Sequence, residues 1–99
     1  MTFVTLCGSH LFYDEFINIK NNMEKNGNVH VLTPEIFQFF DVSELDEKTR
    51  QRLNELHQAK MKQSDYVLVV NKNGYIGEDT KKEIEWCKAN NIPLKYMVS

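Results

Sequence analysis

Four short runs of β-forming residues alternate with segments of helical periodicity along this chain. The first is a short apolar run and the third is continuous and β-branched, which is typical of strands that are buried on both faces of a sheet. They cover residues 2–7, 29–32, 66–70 and 94–98. Apolar residues spaced three or four apart predict helices between them, over residues 12–26, 46–63 and 78–90. This alternation predicts an α/β fold, a parallel sheet of about four strands with helices on both faces.

Length and composition narrow the class of protein. The 99 residues predict a single domain, residues 1–99, and a core small enough that association into a homodimer or higher homo-oligomer is expected. The net charge of −2, without a basic patch, argues against a nucleic acid polymer as partner. A membrane partner is also not expected, because no apolar run approaches the roughly 20 residues of a membrane span.

The cysteines and the N-terminus bear on the compartment. Cys7 and Cys87 lie in apolar segments far apart in sequence. They are predicted to be buried free thiols of a cytoplasmic protein, and not a disulfide or a metal site. The first four residues resemble the start of a strand and lack the basic residues of a signal peptide. No cofactor is expected.

A glycine-bearing turn follows the first strand. Gly8 allows the backbone to approach a ligand closely, and free N–H groups at a helix start favour an anion. Gly8 and Ser9 are therefore candidates to bind a phosphate or a sugar hydroxyl. The alternative is a plain turn in which Ser9 caps a helix.

A second glycine-bearing loop, residues 71–77, follows the third strand. Its candidate substrate-binding residues are Asn71, Gly74, Tyr75 and Gly77, with Tyr75 placed to line a pocket for a base or a sugar. An ordinary strand-to-helix connection is the alternative. Because ligands bind beyond the carboxyl ends of parallel strands, both loops are expected to meet at one site.

Glu83 is the candidate nucleophile. A carboxylate near a helix N-terminus is stabilised as the anion, and such an anion beside a sugar pocket can attack an anomeric carbon. However, Thr80 and Glu83 also match the S/T-x-x-E capping box, in which Glu83 only bonds back to the backbone of Thr80. The local sequence leaves both possibilities open.

His57 and Lys60 interrupt the apolar positions of the 46–63 helix, which are Leu53, Leu56 and Met61. A histidine here could pass a proton to a leaving base, and a lysine could hold a phosphate or a carboxylate. The alternative is a core histidine with a satisfied hydrogen bond and a lysine that extends outward to solvent.

Three phenylalanines, Phe37, Phe39 and Phe40, form a short aromatic cluster. They could cover a nucleobase, although such clusters more often belong to a core or to a dimer interface.

Several of these segments together resemble the nucleoside 2-deoxyribosyltransferase family, which includes the 2′-deoxynucleoside 5′-monophosphate N-glycosidases. The resemblance covers nearly the whole chain, and its most specific part runs from the second glycine loop to Glu83. The residues that carry it are 4–9, 64–71, Gly74 to Gly77 with Thr80 and Glu83-Ile84, and Asn91-Ile92-Pro93.

The resemblance implies a Rossmann-like or flavodoxin-like fold and cleavage or transfer at the N-glycosidic bond of a deoxynucleoside or its 5′-monophosphate. It implies Glu83 as nucleophile, Gly8 and Ser9 as the first substrate-binding turn, and Gly77 and Thr80 facing the sugar or its phosphate. The aspartate that opens the third strand, Asp65, is implied to be structural.

The sequence departs from the family at two positions. Thr5 replaces a tyrosine three residues before the glycine turn, and His57 replaces an acidic residue. The usual acid for the leaving base is thereby absent or replaced, which gives His57 a pocket role opposite Glu83. A non-catalytic nucleotide-binding module is therefore the alternative function, and a small interaction protein is a third.

Overall fold

A computed structural model describes residues 1–34 and 45–98 of the chain. The predicted role of Phe37, Phe39 and Phe40 lies outside these residues. The strands and helices within them are as follows: β1 (Thr2–Gly8), α1 (Tyr13–Asn26), β2 (Val29–Leu32), α2 (Glu47–Gln63), β3 (Tyr66–Val70), α3 (Glu78–Ala89) and β4 (Leu94–Tyr96). Single 3-10 turns, His10–Phe12 and Lys72–Gly74, precede α1 and follow β3.

The four strands form one parallel sheet in the order β2-β1-β3-β4. The chain moves from β1 to β2 on one side and then returns to add β3 and β4 on the other. The predicted α/β architecture is confirmed: this is a Rossmann-like, flavodoxin-like sheet. Its strand order reverses between β1 and β3, where such folds place their ligands beyond the carboxyl ends of the strands.

The side chains of the central strands divide the core into two layers. Val4 and Leu6 of β1 pack with Phe16 of α1 on one face of the sheet. On the other face, Cys7 packs with Met61 of α2 and with residues of α3. Because alternate residues of a strand point to opposite faces, α1 covers one face while α2 and α3 cover the other. The sheet is therefore doubly wound, as the sequence predicts.

Helix α2 begins and packs largely as the sequence predicts. The side chain of Asp46 accepts a hydrogen bond from the Thr49 backbone N–H at 2.7 Å and so caps the helix. The inward stripe consists of Leu53, His57 and Met61 at four-residue intervals. Leu56 was predicted to join this stripe, and that prediction is wrong: 45% of Leu56 is exposed. One residue turns a helix by about 100°, so Leu56 lies off the face that His57 occupies.

The outer edge of β2 is occupied by side chains of α1. The Glu24 carboxylate accepts a hydrogen bond from the Val31 N–H at 2.9 Å, and the Lys20 ammonium donates to the Val31 carbonyl at 3.0 Å. Lys20 and Glu24 also form an ion pair at 3.0 Å. The two backbone groups that β1 leaves unpaired at Val31 are therefore both bonded.

Among the residues described, no helix combines the length and the apolar character needed to cross a bilayer.

Candidate active site

A cavity of about 850 Å³ opens at the carboxyl edge of the sheet, where the strand order reverses. The turn after β1, the start of α3 and the facing sides of α2 and α3 form its walls. The volume lies within the range of small-molecule sites. Seven of the ten predicted site residues line it, as expected from the topology: Gly8, Ser9, His57, Tyr75, Gly77, Thr80 and the nucleophile candidate Glu83.

Gly8 forms the wall at the end of β1. Its φ is +155°, and a Cβ atom added there would lie 2.7 Å from the Val70 carbonyl oxygen and 3.2 Å from the Phe16 ring. Glycine is thus required for close packing of β1 against β3 as well as for access to the cavity. Ser9 accepts a hydrogen bond from the Leu11 N–H at 3.2 Å, so it caps the following turn and lines the cavity at once.

The loop after β3 brings Tyr75 to the mouth of the cavity. Gly74, with φ of +80°, reverses the chain, and half of Tyr75 (51%) is exposed. The Tyr75 ring stands edge-on to Phe12 with centroids 5.9 Å apart, and its hydroxyl lies beside Gly77. Gly77 in turn precedes the first residue of α3. This loop therefore closes one end of the cavity with an aromatic ring.

Glu83 and His57 form a hydrogen-bonded pair inside the cavity. The His57 Nε2 atom lies 3.1 Å from the Glu83 Oε2 atom. The His57 side chain is 5% exposed and that of Glu83 is 20% exposed. α3 begins at Glu78 with Gly77 at its N-cap, so Thr80 lies within the first turn and cannot act as the capping residue. The capping-box alternative for Glu83 is therefore wrong.

The pair fixes the position of the His57 proton. An ionised carboxylate only accepts hydrogen bonds, so Nε2 must carry the hydrogen that Glu83 receives. The other ring nitrogen, Nδ1, is buried and has no hydrogen-bond partner among the described residues. In a neutral imidazole this nitrogen holds a lone pair and no proton. His57 is thus arranged to hold one carboxylate oxygen of Glu83, which leaves the other oxygen available.

The electrostatic effect of Glu83 extends into the core beneath it. Burial raises the pKa of the Cys7 thiol well above its usual range, and the negative charge of Glu83 raises it further. Burial and Glu83 also raise the pKa of Cys87, to about 11. Both cysteines are free and buried, as predicted. The thiols of both cysteines are therefore neutral in the core.

Three predicted binding residues lie away from the cavity lining. The Lys60 ammonium donates to the Thr33 carbonyl at 2.8 Å. Asn71 is buried, and its side chain bonds both the N–H and the carbonyl of Val98, at 2.9 and 3.0 Å. Gly74 has a positive φ and forms part of the turn that follows β3. The geometry gives these residues structural contacts, and their predicted substrate contacts receive no support from it.

The two remaining residues that the family resemblance concerned also make structural contacts. The Thr5 hydroxyl donates to the Lys60 carbonyl at 3.2 Å and contacts the Ser64 hydroxyl, at the end of α2. The Asp65 carboxylate accepts a hydrogen bond from the Phe3 N–H at 2.7 Å. Neither side chain lines the cavity.

Sequence reasoning missed one side of the cavity, the face of α2 around His57 and the matching face of α3. Arg50, Asn54 and Gln58 line it from α2, while Lys82 and Trp86 line it from α3. A signal was available for two of them: Asn54 and Trp86 lie three positions from His57 and Glu83 and share their helix faces. These side chains surround the Glu83–His57 pair with polar and aromatic groups.

In the part of the chain that the structure describes, no three His, Cys, Asp or Glu side chains come together in a way that could hold a metal ion. Comparison of the chain with protein-family models, with curated proteins and with solved structures finds no match.

Proposed function

We propose that this protein cleaves or transfers at the N-glycosidic bond of a deoxynucleoside or its 5′-monophosphate, with Glu83 as the nucleophile. The observation that carries the proposal is the Glu83–His57 pair: a partly exposed carboxylate, held at 3.1 Å by a buried histidine, inside a cavity at the topological switch point. The family resemblance of the glycine loop and Glu83 points to the same chemistry.

The proposed reaction begins at the free oxygen of Glu83. This oxygen attacks C1′ and forms an ester as the bond from C1′ to the base nitrogen breaks. The electron pair leaves with the base, whose nitrogen takes a proton from water. Water, or a nitrogen of a second base, then attacks C1′ and releases the Glu83 carboxylate. Two displacements at C1′ retain its configuration.

His57 acts in this mechanism as a positioning residue. Its Nε2 proton is engaged by Glu83, and its Nδ1 has no access to a leaving base in the described structure. The prediction that His57 protonates the base therefore gives way to a role in orienting the nucleophile. A correctly oriented carboxylate needs less rearrangement to reach the transition state.

The remaining cavity walls suit the sugar end of such a substrate. The Gly8 turn and the first turn of α3 present backbone close to the cavity, where small residues let a pentose approach. Arg50 and Lys82 supply positive charge at the walls, while Glu78 and Asp79 supply negative charge. The substrate can therefore be a nucleoside or its monophosphate, and both belong in the test.

The test incubates the protein with the common deoxynucleosides and their 5′-monophosphates and measures free base by chromatography. We expect release from at least one of them, and loss of release in Glu83→Gln. The matched control is Glu85→Gln, because Glu85 lies on the same helix with its side chain 74% exposed and outside the cavity. Rapid acid quench followed by peptide mass spectrometry should find a deoxyribosyl group on Glu83. Full activity in Glu83→Gln would exclude this mechanism.

A non-catalytic nucleotide-binding module is the second candidate. It is favoured by one observation: His57 is engaged with Glu83, so its Nε2 proton is not available to the leaving base. Calorimetry showing nucleotide binding by a folded protein that releases no base would establish it. A pure interaction protein is less consistent with the cavity and with a Glu83 that bonds His57 instead of its own helix.

A further inference from the structure

The groove between α2 and α3 contains an aromatic ring and two unengaged amides beside Glu83. Trp86 lies three residues after Glu83 on α3 and lines the cavity while packing on the core. Asn54 and Gln58 line it from α2. Neither amide makes a hydrogen bond within residues 1–34 and 45–98.

We propose that the leaving nucleobase lies in this groove, against Trp86, with its edge recognised by Asn54 and Gln58, and that adenine is the preferred base. The proposal rests on the function proposed above and names the part of the substrate that this groove binds.

The distance along α3 fits a base. Three residues of helix rise about 4.5 Å, so Trp86 lies about one turn from the nucleophile. A base attached to C1′ extends over a similar distance from the carbon that Glu83 attacks. The sugar would then lie beside the glycine turns, at Gly8 and Gly77. Base–aromatic contact is a strong source of affinity that needs no charge.

The amides give the groove its chemical preference. An Asn or Gln side chain offers one acceptor and one donor, and this pair matches the N6 amino group and N7 of adenine. Hypoxanthine has a carbonyl in place of that amino group, so the same edge presents two acceptors and can use only the donor of the amide. Asn54 and Gln58 are one helical turn apart, so both can face the same planar ligand.

Tyr75 offers the competing location for the base. It is half exposed and its ring already packs edge-on to Phe12, at the mouth of the cavity. Trp86 is more enclosed and lies nearer to Glu83 along its helix. Lys62 approaches the Trp86 ring at 5.9 Å, the outer limit of a cation–π contact, and its exposed side chain is free to move aside.

The first arm of the experiment measures binding without turnover. Trp86 is the sole tryptophan of the chain, so its fluorescence reports directly on the groove. Titration with free adenine should quench it, and hypoxanthine should quench it only at about tenfold higher concentration. Equal responses to the two bases, or none to either, would overturn the proposed preference.

The second arm uses turnover of deoxyadenosine or its monophosphate. Trp86→Ala should raise KM about tenfold, with Trp86→Phe partly restoring it. Asn54→Leu and Gln58→Met remove both the donor and the acceptor, so each should raise KM for the adenine substrate, which loses two hydrogen bonds, more than for the hypoxanthine one, which loses one. Gln63→Met is the control, because Gln63 is an exposed residue of the same helix outside the cavity.

The outcomes separate the two proposals. Base release that is unaffected by the Trp86 and amide variants, but impaired by Tyr75→Ala, overturns the groove and leaves the glycosidic function intact. Absence of release with adenine still quenching Trp86 overturns the function and leaves the groove as a base-binding site. Absence of both release and quenching overturns both. The amide variants keep the test decisive if Trp86→Ala fails to fold.

Discussion

The Nε2 atom of His57 lies 3.1 Å from the Oε2 atom of Glu83, across the space between α2 and α3. The residues are 26 positions apart in sequence, and a buried ring nitrogen on the other side of the imidazole has no partner in the described chain. An acceptor-only carboxylate on one side and a buried nitrogen without a partner on the other select one histidine tautomer.

That tautomer can be observed directly. We expect nitrogen NMR of the His57 ring to show a protonated Nε2 and an unprotonated Nδ1, because only Nε2 has an acceptor. Glu83→Ala removes the acceptor and should change the tautomer signals of His57, while Glu85→Ala should leave them unchanged. A hydrogen found on Nδ1 in the intact protein would contradict the arrangement.

Two substitutions at His57 distinguish positioning from proton transfer. Glutamine places an amide nitrogen near the Nε2 position and can still donate to Glu83, whereas asparagine is too short to do so. His57→Gln should therefore retain most base release, and His57→Asn should lose about 100-fold in kcat. Equal and severe losses in both variants would favour a role for the imidazole in proton transfer.

Gly8→Ala should destabilise the protein by about 1–3 kcal/mol, because its Cβ would lie 2.7 Å from the Val70 carbonyl oxygen. Gly27→Ala is the matched control. Gly27 has an extended backbone, φ −160°, and its added Cβ meets nothing nearer than 3.5 Å. Urea unfolding of the two variants checks this. Equal stabilities would show that β1 and β3 separate readily at the cavity wall.

Because the cysteine thiols are buried, we expect the protein to lose stability at alkaline pH. The pKa of Cys87 rises from 9.0 to about 11 on folding, so between these values the unfolded chain has lost a proton that the folded chain keeps. Unfolding therefore becomes more favourable as the pH rises through this window. The denaturation midpoint should fall as the pH rises from 8 to 11. The midpoint of the Cys87→Ala variant should fall less steeply than that of the parent protein.

The same burial predicts low thiol reactivity. Cys7 and Cys87 should resist iodoacetamide at pH 8 in the folded protein and react in urea, because the thiolate is the nucleophile and burial disfavours it. Mass spectrometry of the alkylated chain gives the number of labels. Rapid labelling of the folded protein would contradict the buried positions of these thiols.

Because the Glu24 carboxylate is hydrogen-bonded as the anion, we expect the protein to lose stability in acid. Its hydrogen bond from the Val31 N–H, with help from Lys20, holds the pKa of Glu24 below its usual range. The stabilisation is therefore present above the ordinary carboxyl pKa and is lost as the pH falls through the lowered one. Glu24→Gln should be less stable at neutral pH and show a flatter acid profile. Glu85→Gln, on the exposed face of α3, should retain the parent profile.

The fold was predictable from sequence because its signals are local. Buried parallel strands such as 66–70 form continuous β-branched runs, and helices such as α2 carry a capping Asp46 and an apolar stripe. The exception, Leu56, shows the limit of periodicity: residues 53, 56 and 57 compete for the same face, and only packing decides between a leucine and a histidine.

The site was predictable in part. Topology alone placed Gly8, Ser9 and Gly77 at one edge, since strands of a parallel sheet share their carboxyl ends. The contact between Glu83 and His57 could not be derived, because the distance between two helices depends on their side-chain packing. For the same reason Asn71 and Lys60 appeared as binding residues, although their polar groups bond to the backbone of Val98 and Thr33.

The side chains on the outer edge of β2 have a consequence for behaviour in concentrated solution. A bare sheet margin invites strands of other molecules to add to it. Here Glu24 and Lys20 already bond the Val31 backbone, so an incoming strand would have to displace two charged groups before it could pair. While Glu24 is ionised, its side chain blocks strand pairing at this edge of β2. Protonation of Glu24 in acid weakens that block. Fibrillar or amorphous growth from this side should therefore begin only under acidic conditions.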